Sequence, residues 1–249
     1  MLTQPTIDKL HALKLNGMAN ALCEQLKQPL PDLDFESRLA ILVDREWLER
    51  ENRKLKRRLT QAKLKQNACI EDINYDNHRG IVKSKMLELS RNQWLKHKIN
   101  LLITGSTGCG KTYIACALAH RACLDGYTSR YYRLPRLWEE LKIAKANGTY
   151  GQWLNQLAKI DLLILDDWGL VAPDGERRQD LLELLDDRYQ KRSTIVTSQL
   201  PITYWHEHLN DTTFADAILD RLVHNAIRIE LTGETMRKSQ NTLQTGMAE

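Results

Sequence analysis

A glycine-rich turn that ends in lysine and threonine carries the clearest chemical signal of this 249-residue chain. The stretch LLITGSTGCGKT, residues 101–112, has the spacing GxxxxGK[ST] and lies between a predicted strand and a predicted helix. In such a loop the backbone N–H groups cradle phosphates, the lysine reaches the outer phosphates and the threonine hydroxyl ligates Mg²⁺. The sequence therefore predicts a site for a nucleoside triphosphate and Mg²⁺, formed by Gly105, Ser106, Thr107, Gly108, Cys109, Gly110, Lys111, Thr112 and Tyr113.

Two adjacent acids follow an unbroken apolar run later in the chain. The segment DLLILDDWG, residues 161–169, has the pattern of a parallel strand buried on both faces, and it ends in Asp166 and Asp167. Behind a phosphate-binding loop, Asp166 is predicted to be a second protein ligand of Mg²⁺. The alternative is a solvated strand end without a role in chemistry.

The elements that position these residues alternate between strands and helices, as in a parallel sheet covered on both faces. The predicted strands are residues 100–104, 128–132, 161–166, 193–198 and 226–231. The strand at 128–132 is inserted between the loop helix and the acidic strand, which is typical of additional-strand ATPases. In those proteins an acid beside the Mg²⁺ ligand orients the attacking water, and Asp167 holds that place. The strand STIVTSQLP ends in three polar residues that are predicted to contact the γ-phosphate or the water, namely Thr197, Ser198 and Gln199.

Other nucleotide-binding classes fit less well. GTPases would require an NKxD guanine reader, and the sequence contains none. A small-molecule kinase remains an alternative on the loop alone, although no arginine-rich lid sequence follows it.

The region before the first strand is predicted to be helical. Apolar residues at helical spacing predict a helix over residues 7–26 with a break at Asn16 and Gly17, and a second helix from Asp34 through residue 65. A third helix is predicted over residues 80–97. The predicted domains are a helical N-terminal domain over residues 1–66, a linker and docking helix over residues 67–98, and a nucleotide-binding core over residues 99–249.

Composition excludes several classes of protein. Five cysteines without a CxxC pair form neither a disulfide framework nor a zinc cluster, and the first thirty residues contain no long apolar run behind a basic start. These features predict a cytoplasmic protein that does not use a membrane.

Positive charge is concentrated before the nucleotide site. Residues 1–98 contain 19 Lys and Arg against 13 Asp and Glu, and the stretch from Arg53 to Lys65 has seven basic residues and no acid. A run of cations without acids favours contact with the phosphates of duplex DNA, largely independent of base sequence. The predicted DNA-binding residues in this stretch are Arg53, Lys54, Lys56, Arg57, Arg58, Lys63 and Lys65.

Several segments together resemble the AAA+ ATPases of the IstB and DnaC type, which are relatives of the DnaA replication initiator. The resemblance is closest to the IstB-like helper ATPases of insertion sequences, and it rests on LKLNGMANAL, RLAILVDREWLERENRKLKRRL, GSTGCGKTYIACALA, LLILDDWG, RYQKRSTIVTSQLP and AILDRLVHNA. It implies an α/β fold with a P-loop AAA+ core on a five-stranded parallel sheet, preceded by a small all-helical domain. It also implies a homo-oligomer with ATP at its subunit interfaces, which assembles on DNA and recruits or activates an IstA-type transposase. A replicative helicase loader of the DnaC type is the alternative.

The resemblance also implies roles for four further basic residues. Arg221 in AILDRLVHNA is similar to the arginine finger that acts on a neighbouring subunit's ATP, and Arg237 is similar to the second sensor. A surface salt bridge is the alternative for Arg221. In initiator relatives an extra helix after the second strand faces DNA, which implies phosphate contacts for Lys142 and Lys145, with Tyr150 beside them; a solvated helix face explains the same lysines. The chain leaves little room for a helical lid after Arg237, and Asp167 stands where glutamate is common, so hydrolysis is predicted to be slow.

Overall fold

The computed structural model describes residues 3–28, 33–75 and 80–233. The chain forms two compact units, residues 1–57 and 58–249. The helices of the N-terminal region are α1 (Thr3–Ala12), α2 (Asn16–Lys27) and α3 (Phe35–Ala62). The predicted break near Asn16 separates α1 from α2, and α3 ends three residues earlier than expected. The predicted three-domain division stays a prediction.

A buried carboxylate joins α2 to α3 within the first unit. Glu46, which is 5% exposed, accepts hydrogen bonds from the backbone N–H groups of Gly17 and Met18 at 2.7 and 3.3 Å and from Arg50 Nε at 2.6 Å. These N–H groups belong to the first turn of α2, where no intrahelical acceptor exists. A Cβ atom on Gly17 would lie 2.7 Å from the Cα of Glu46, so the two helices approach closely only because residue 17 is glycine.

The second unit is built on five parallel strands, which confirms the predicted fold class. They are β1 (Asn100–Gly105), β2 (Ser129–Arg133), β3 (Leu162–Trp168), β4 (Ser193–Ser198) and β5 (Ala226–Leu231). Their order in the sheet is β2-β3-β4-β1-β5, and every neighbouring pair is parallel. The strand inserted in sequence, β2, therefore lies at one edge beside the acidic strand β3.

Helices cover both faces of this sheet. They are α4 (Lys83–Ser90), α5 (Gln93–Lys96), α6 (Lys111–Leu124), α7 (Leu134–Ala146), α8 (Tyr150–Lys159), α9 (Gly175–Arg188), α10 (Trp205–Leu209) and α11 (Thr212–Val223), with a 3₁₀ turn at Ile202–Tyr204. Alternate strand residues serve opposite faces: Leu101 and Ile103 pack on the side of α4 to α6, whereas Leu102 packs on the side of α7 to α11. Because helices bury both faces of the sheet, successive residues of its inner strands are apolar.

The prediction of a single helix over residues 80–97 is wrong, because this segment forms two helices, α4 and α5, with a turn between them. Asn92 has a φ of 56°, in the left-handed region, and is 1% exposed. Its side-chain amide donates to Asp125 Oδ2 at 2.9 Å. Asparagine tolerates this backbone conformation better than most residues, and here the side chain gains a partner in the fold. Among the described residues, no helix combines the length and the hydropathy needed to cross a bilayer.

Candidate nucleotide-binding site

The glycine-rich loop joins β1 to α6 at the carboxyl edge of the sheet. Gly105 closes β1 with a φ of 146°, and Gly110 precedes α6 with a φ of 96°. A Cβ atom on Gly105 would lie 2.3 Å from the carbonyl oxygen of Leu231, so no side chain fits there. Lys111 is 9% exposed, and its ammonium donates to the carbonyl oxygens of Gly105 and Ser106 at 2.8 and 2.7 Å. The backbone carbonyl groups of the loop thus hold the ammonium of Lys111 within the loop.

Asp166 lies at the end of the buried part of β3 and accepts hydrogen bonds from three hydroxyl groups. It is 1% exposed, and Thr112 Oγ1 lies 3.0 and 3.1 Å from its two carboxylate oxygens. The other donors are Tyr131 from β2 and Thr197 from β4. Burial, together with the hydrogen bond to Asp166, raises the pKa of Tyr131 far above its usual range, so this phenol stays protonated and donates. Lys65 Nζ lies 3.6 Å from Asp166 Oδ2.

Asp167 sits in a distorted part of β3. Its φ is 64°, and the register between β3 and β4 shifts between Leu165 and Trp168. Such an irregularity redirects the side chain that follows a buried strand. The carboxylate of Asp167 accepts a hydrogen bond from Arg133 Nε at the end of β2, and this contact raises the pKa of Arg133.

Lys111, Thr112 and Asp167 line a cavity of about 480 Å³, within the range of small-molecule sites. Its walls come from the P-loop, from Asp167 and Gln199, and from the segment after α3, which contributes Lys65, Gln66, Asp72, Ile73 and Asn74. The adjacent oxygens of Thr112 and Asp166 are the hard ligands that Mg²⁺ prefers. The donor set therefore fits Mg²⁺ bound together with phosphates.

The three polar residues at the end of β4 differ in position. Thr197 contacts Asp166, and the backbone N–H of Asp167 donates to Thr197 Oγ1 at 3.4 Å. Gln199 lines the cavity, and its Oε1 accepts from Thr107 Oγ1 at 2.7 Å. The hydroxyl of Ser198 instead donates to the backbone carbonyl of Trp168 at 2.8 Å. The structure thus brings Gln199 to the cavity, buries Thr197 against Asp166 and leaves Ser198 bonded to the backbone.

The residues predicted from the resemblance lie elsewhere. Arg221 on α11 donates to Asp186 Oδ1 at 2.7 Å and to the carbonyl oxygen of Ala217 at 2.9 Å, which is the salt bridge considered as the alternative. Its side chain is 28% exposed and does not line the cavity. Arg237 lies outside the described residues.

Many of the predicted DNA-binding cations have acidic neighbours. On α3, Lys54 Nζ lies 2.8 Å from Glu51, and Arg53 lies 3.9 Å from Glu49, while Arg57 is exposed. Arg58 is half-buried beside Gly126.

On the crossover helices, Lys142 is exposed, but the ammonium of Lys145 lies 2.8 Å from Glu176 and 2.6 Å from Asp180. The hydroxyl of Tyr150 donates to the same Asp180 at 2.9 Å. Lys145 and Tyr150 are therefore poor candidates for phosphate contacts, because α9 already supplies their partners.

Sequence reasoning missed Tyr131 and Arg133 at the site. Both belong to β2, and the pairing of Arg133 with Asp166 in the ladder between β2 and β3 places them beside the acids. The available signal was the inserted strand itself, which ends in the polar sequence RYYR.

Comparisons with known proteins agree with this geometry. A family model described as IstB-like ATP binding protein matches residues 8–244. An insertion sequence ATP-binding protein of Sinorhizobium fredii, y4pL, is 46% identical over 241 residues, covering 96% of this chain and 98% of the relative. The ATP-binding protein of insertion sequence IS1162 from Pseudomonas fluorescens is 50% identical over 203 residues, covering 81% and 88%.

Solved structures show the same fold. The crystal structure of DnaI has a TM-score of 0.58 at 25% identity, covering 67% of this chain and 92% of that chain. AMPPCP-bound DnaA from Aquifex aeolicus has a TM-score of 0.58 at 20% identity, covering 75% and 57%. The core is therefore an AAA+ fold, and the chain belongs to the IstB-like ATP-binding protein family.

Proposed function

We propose that this protein is an ATPase that assembles on duplex DNA and recruits or activates a transposase. The observation that carries the proposal is the convergence of Lys111, Thr112 and Asp167 on one cavity, with Asp166 bonded to Thr112, in a chain whose relatives are named as insertion sequence ATP-binding proteins. In this proposal the P-loop N–H groups and Lys111 bind the phosphates of ATP. Thr112 and Asp166 would hold Mg²⁺, which supplies positive charge to the phosphates when bound.

Asp167 is the proposed acceptor for the proton of the attacking water. Its side chain is 21% exposed at the cavity wall, so water reaches it. Thr197 Oγ1 accepts from the backbone N–H of Asp167 and donates to Asp166, which connects the two residues through the backbone. Aspartate is one methylene shorter than glutamate, and a displacement of about 1 Å can cost roughly a hundredfold in rate. We therefore expect slow hydrolysis and a long-lived ATP-bound assembly.

DNA contact is proposed for the basic half of α3, namely Arg53, Lys54, Lys56 and Arg57, and for Lys63 and Lys142. The ion pairs of Arg53 and Lys54 involve exposed side chains. Pairs of this kind contribute only about 0–1 kcal/mol, so phosphates can replace the acids at little cost. Contact through phosphates predicts binding that depends on salt and little on base sequence.

The relatives favour a transposition helper over a helicase loader. The similarity to proteins of insertion sequences reaches 46–50% identity over most of the chain, whereas the similarity to DnaI is 25%. We therefore propose an IstA-type transposase as the partner, a homo-oligomer as the active form and the cytoplasm as the location.

The ATP site is tested by three substitutions measured together for nucleotide affinity, retention on DNA and single-turnover hydrolysis. Lys111→Ala should abolish ATP binding and ATP-dependent assembly, while Lys159→Ala, an exposed lysine of α8, should behave like the parent. Asp167→Asn should keep ATP and DNA binding and stop hydrolysis, and Asp166→Asn should weaken nucleotide binding itself. Parent-like hydrolysis by Asp167→Asn would show that another group activates the water.

The DNA proposal is tested by neutralising Arg53, Lys54 and Arg57 together, with Lys9, Lys14 and Lys27 as an equally charged control set in the same unit. The first set should weaken binding to all duplex sequences, and each lost phosphate contact should flatten the log–log salt slope by roughly 0.9. Equal salt slopes for the two triple variants would contradict DNA contact by α3. Co-purification with an IstA-type transposase, against a replicative helicase, separates the helper from the loader.

The proposed role of Arg221 as a finger requires a neighbouring subunit. Arg221→Ala should bind ATP without hydrolysing it, and mixing it with Asp167→Asn should restore turnover at hybrid interfaces. No recovery at any mixing ratio would assign Arg221 to its ion pair with Asp186 alone.

A further inference from the structure

We propose that Lys65 belongs to the nucleotide site, where its ammonium competes with Mg²⁺ for Asp166. The inference rests on the proposed ATP site and adds a residue to it. Sequence reasoning counted Lys65 among the DNA-binding cations, since it ends the basic run that begins at Arg53. The structure instead places its Nζ 3.6 Å from Asp166 Oδ2, and its side chain among those that line the cavity.

The two partners of this ion pair differ in burial. The side chain of Asp166 is 1% exposed, and that of Lys65 is 47% exposed. Three hydroxyl groups already bond to the carboxylate, but hydroxyls are neutral and leave its charge unbalanced. A nearby ammonium balances that charge. Because the lysine side chain is flexible, the ammonium can bind to the carboxylate and leave it at small conformational cost.

Mg²⁺ and the ammonium of Lys65 require the same carboxylate. The proposed Mg²⁺ ligands, Thr112 Oγ1 and Asp166, lie 3.0–3.1 Å apart, and the ammonium lies within 4 Å of one of them. A monovalent and a divalent cation that share one carboxylate would repel each other, even with the screening found near protein surfaces. Occupation of the site by Mg²⁺ therefore releases Lys65 from Asp166, and Lys65 raises the Mg²⁺ concentration at which nucleotide binds.

The backbone explains how Lys65 reaches the site. Helix α3 ends at Ala62, and Lys63 follows with a φ of 49°, in the left-handed region. The chain turns there, and Ala68, Ile70 and Ile73 then pack into the core beside the loop helix. Lys63 remains exposed and does not line the same cavity, so two lysines of one short segment differ in their access to Asp166.

This difference supplies a matched experiment. A non-hydrolysable ATP analogue with a fluorescent N-methylanthraniloyl label is held at fixed concentration with the full chain, and MgCl₂ is titrated. Lys65→Gln should lower the half-saturating Mg²⁺ concentration by about two- to fivefold, as expected for an ion pair with one exposed partner. Lys63→Gln removes the same charge and should leave it unchanged, and Lys65→Arg should resemble the parent because it keeps the cation.

The outcomes separate this inference from the proposed function. An unchanged or higher Mg²⁺ requirement for Lys65→Gln would overturn the competition, and a higher one would show that Lys65 contacts phosphate instead. If the parent did not bind the analogue, or if Lys111→Ala bound it equally well, the ATP site itself would be wrong. Thermal unfolding of each variant without nucleotide verifies that the folded protein is being compared.

Discussion

Replacing Gly105 by alanine is expected to damage both the stability of the second unit and its nucleotide site. Two separate costs arise at this position. A φ of 146° is a conformation that L-residues rarely adopt, with a strain of about 1–3 kcal/mol. The new Cβ would also meet the carbonyl oxygen of Leu231 at 2.3 Å, so β5 must shift, and overpacking of this kind costs about 1–3 kcal/mol. We expect a loss of roughly 2–6 kcal/mol in the free energy of unfolding.

Alanine substitutions at two other glycines of the same unit distinguish the backbone strain from the steric contact. Gly148, after α7, has a φ of 67° but nothing within 4 Å of the position of its Cβ, so Gly148→Ala should lose only the backbone term of about 1–2 kcal/mol. Gly151 lies within α8 with open space around it and no positive φ, so Gly151→Ala should gain about 0.5–1 kcal/mol. The expected order of stability is Gly151→Ala, parent, Gly148→Ala and Gly105→Ala.

The assay is urea unfolding followed by tryptophan fluorescence, with the midpoint and slope fitted for each variant. Five of the six tryptophans belong to the second unit, so the signal reports mainly on it. Nucleotide affinity is measured in parallel, and Gly105→Ala should lose it while Gly148→Ala keeps it. If Gly105→Ala and Gly148→Ala had the same stability, the contact with Leu231 would impose no cost and the steric reasoning would be refuted.

Three further predictions concern buried hydrogen bonds. Tyr131→Phe removes a donor to the buried carboxylate of Asp166 and should lower the free energy of unfolding by about 1–3 kcal/mol in urea titrations without nucleotide; no change would mean that the phenol is dispensable. The hydrogen bond from Arg50 lowers the pKa of Glu46, so the stability that this carboxylate contributes is present above its unfolded pKa and is lost as pH falls through the folded one. Unfolding measured from pH 7 to pH 3 should show this loss in the parent and a weaker dependence in Glu46→Gln, and identical profiles would contradict it. Gly17→Ala should lower the free energy of unfolding by about 1–3 kcal/mol and speed hydrogen exchange in the first turn of α2. Unchanged stability and exchange would mean that the two helices separate without cost.

The sequence was sufficient to predict those elements that a short local pattern defines. Strand β3 was predicted because its apolar run is buried on both faces, and the P-loop because its glycines and lysine are fixed in spacing. Contacts between segments that are distant in sequence could not be predicted from such local patterns. The bonds of Tyr131 to Asp166 and of Arg133 to Asp167 span 35 and 34 residues, and only the order of strands in the sheet brings them together.

The polar residues at the end of β4 do not act as a unit. Side chains alternate along a strand, so Thr197 and Ser198, the last two residues of β4, point to opposite faces of the sheet. The structure follows this alternation, since Thr197 bonds to Asp166 and Ser198 bonds to the carbonyl of Trp168. Gln199 follows the end of β4 and lines the cavity. The three adjacent polar residues should therefore not be treated as one sensor.

The basic run from Arg53 to Lys65 shows why counting charges does not assign a partner. Its first members lie on α3, where side chains project at helical spacing and phosphates can reach the exposed ones. After Ala62 the helix has ended, and the positive φ of Lys63 turns the chain toward the loop helix. From there Lys65 meets a buried carboxylate, whose negative charge attracts an ammonium as a DNA phosphate would. Under the proposed DNA contact, residues with the same charge and nearly the same position in sequence face different anions. The end of the helix, which sequence locates only to within a few residues, would then determine which anion each one meets.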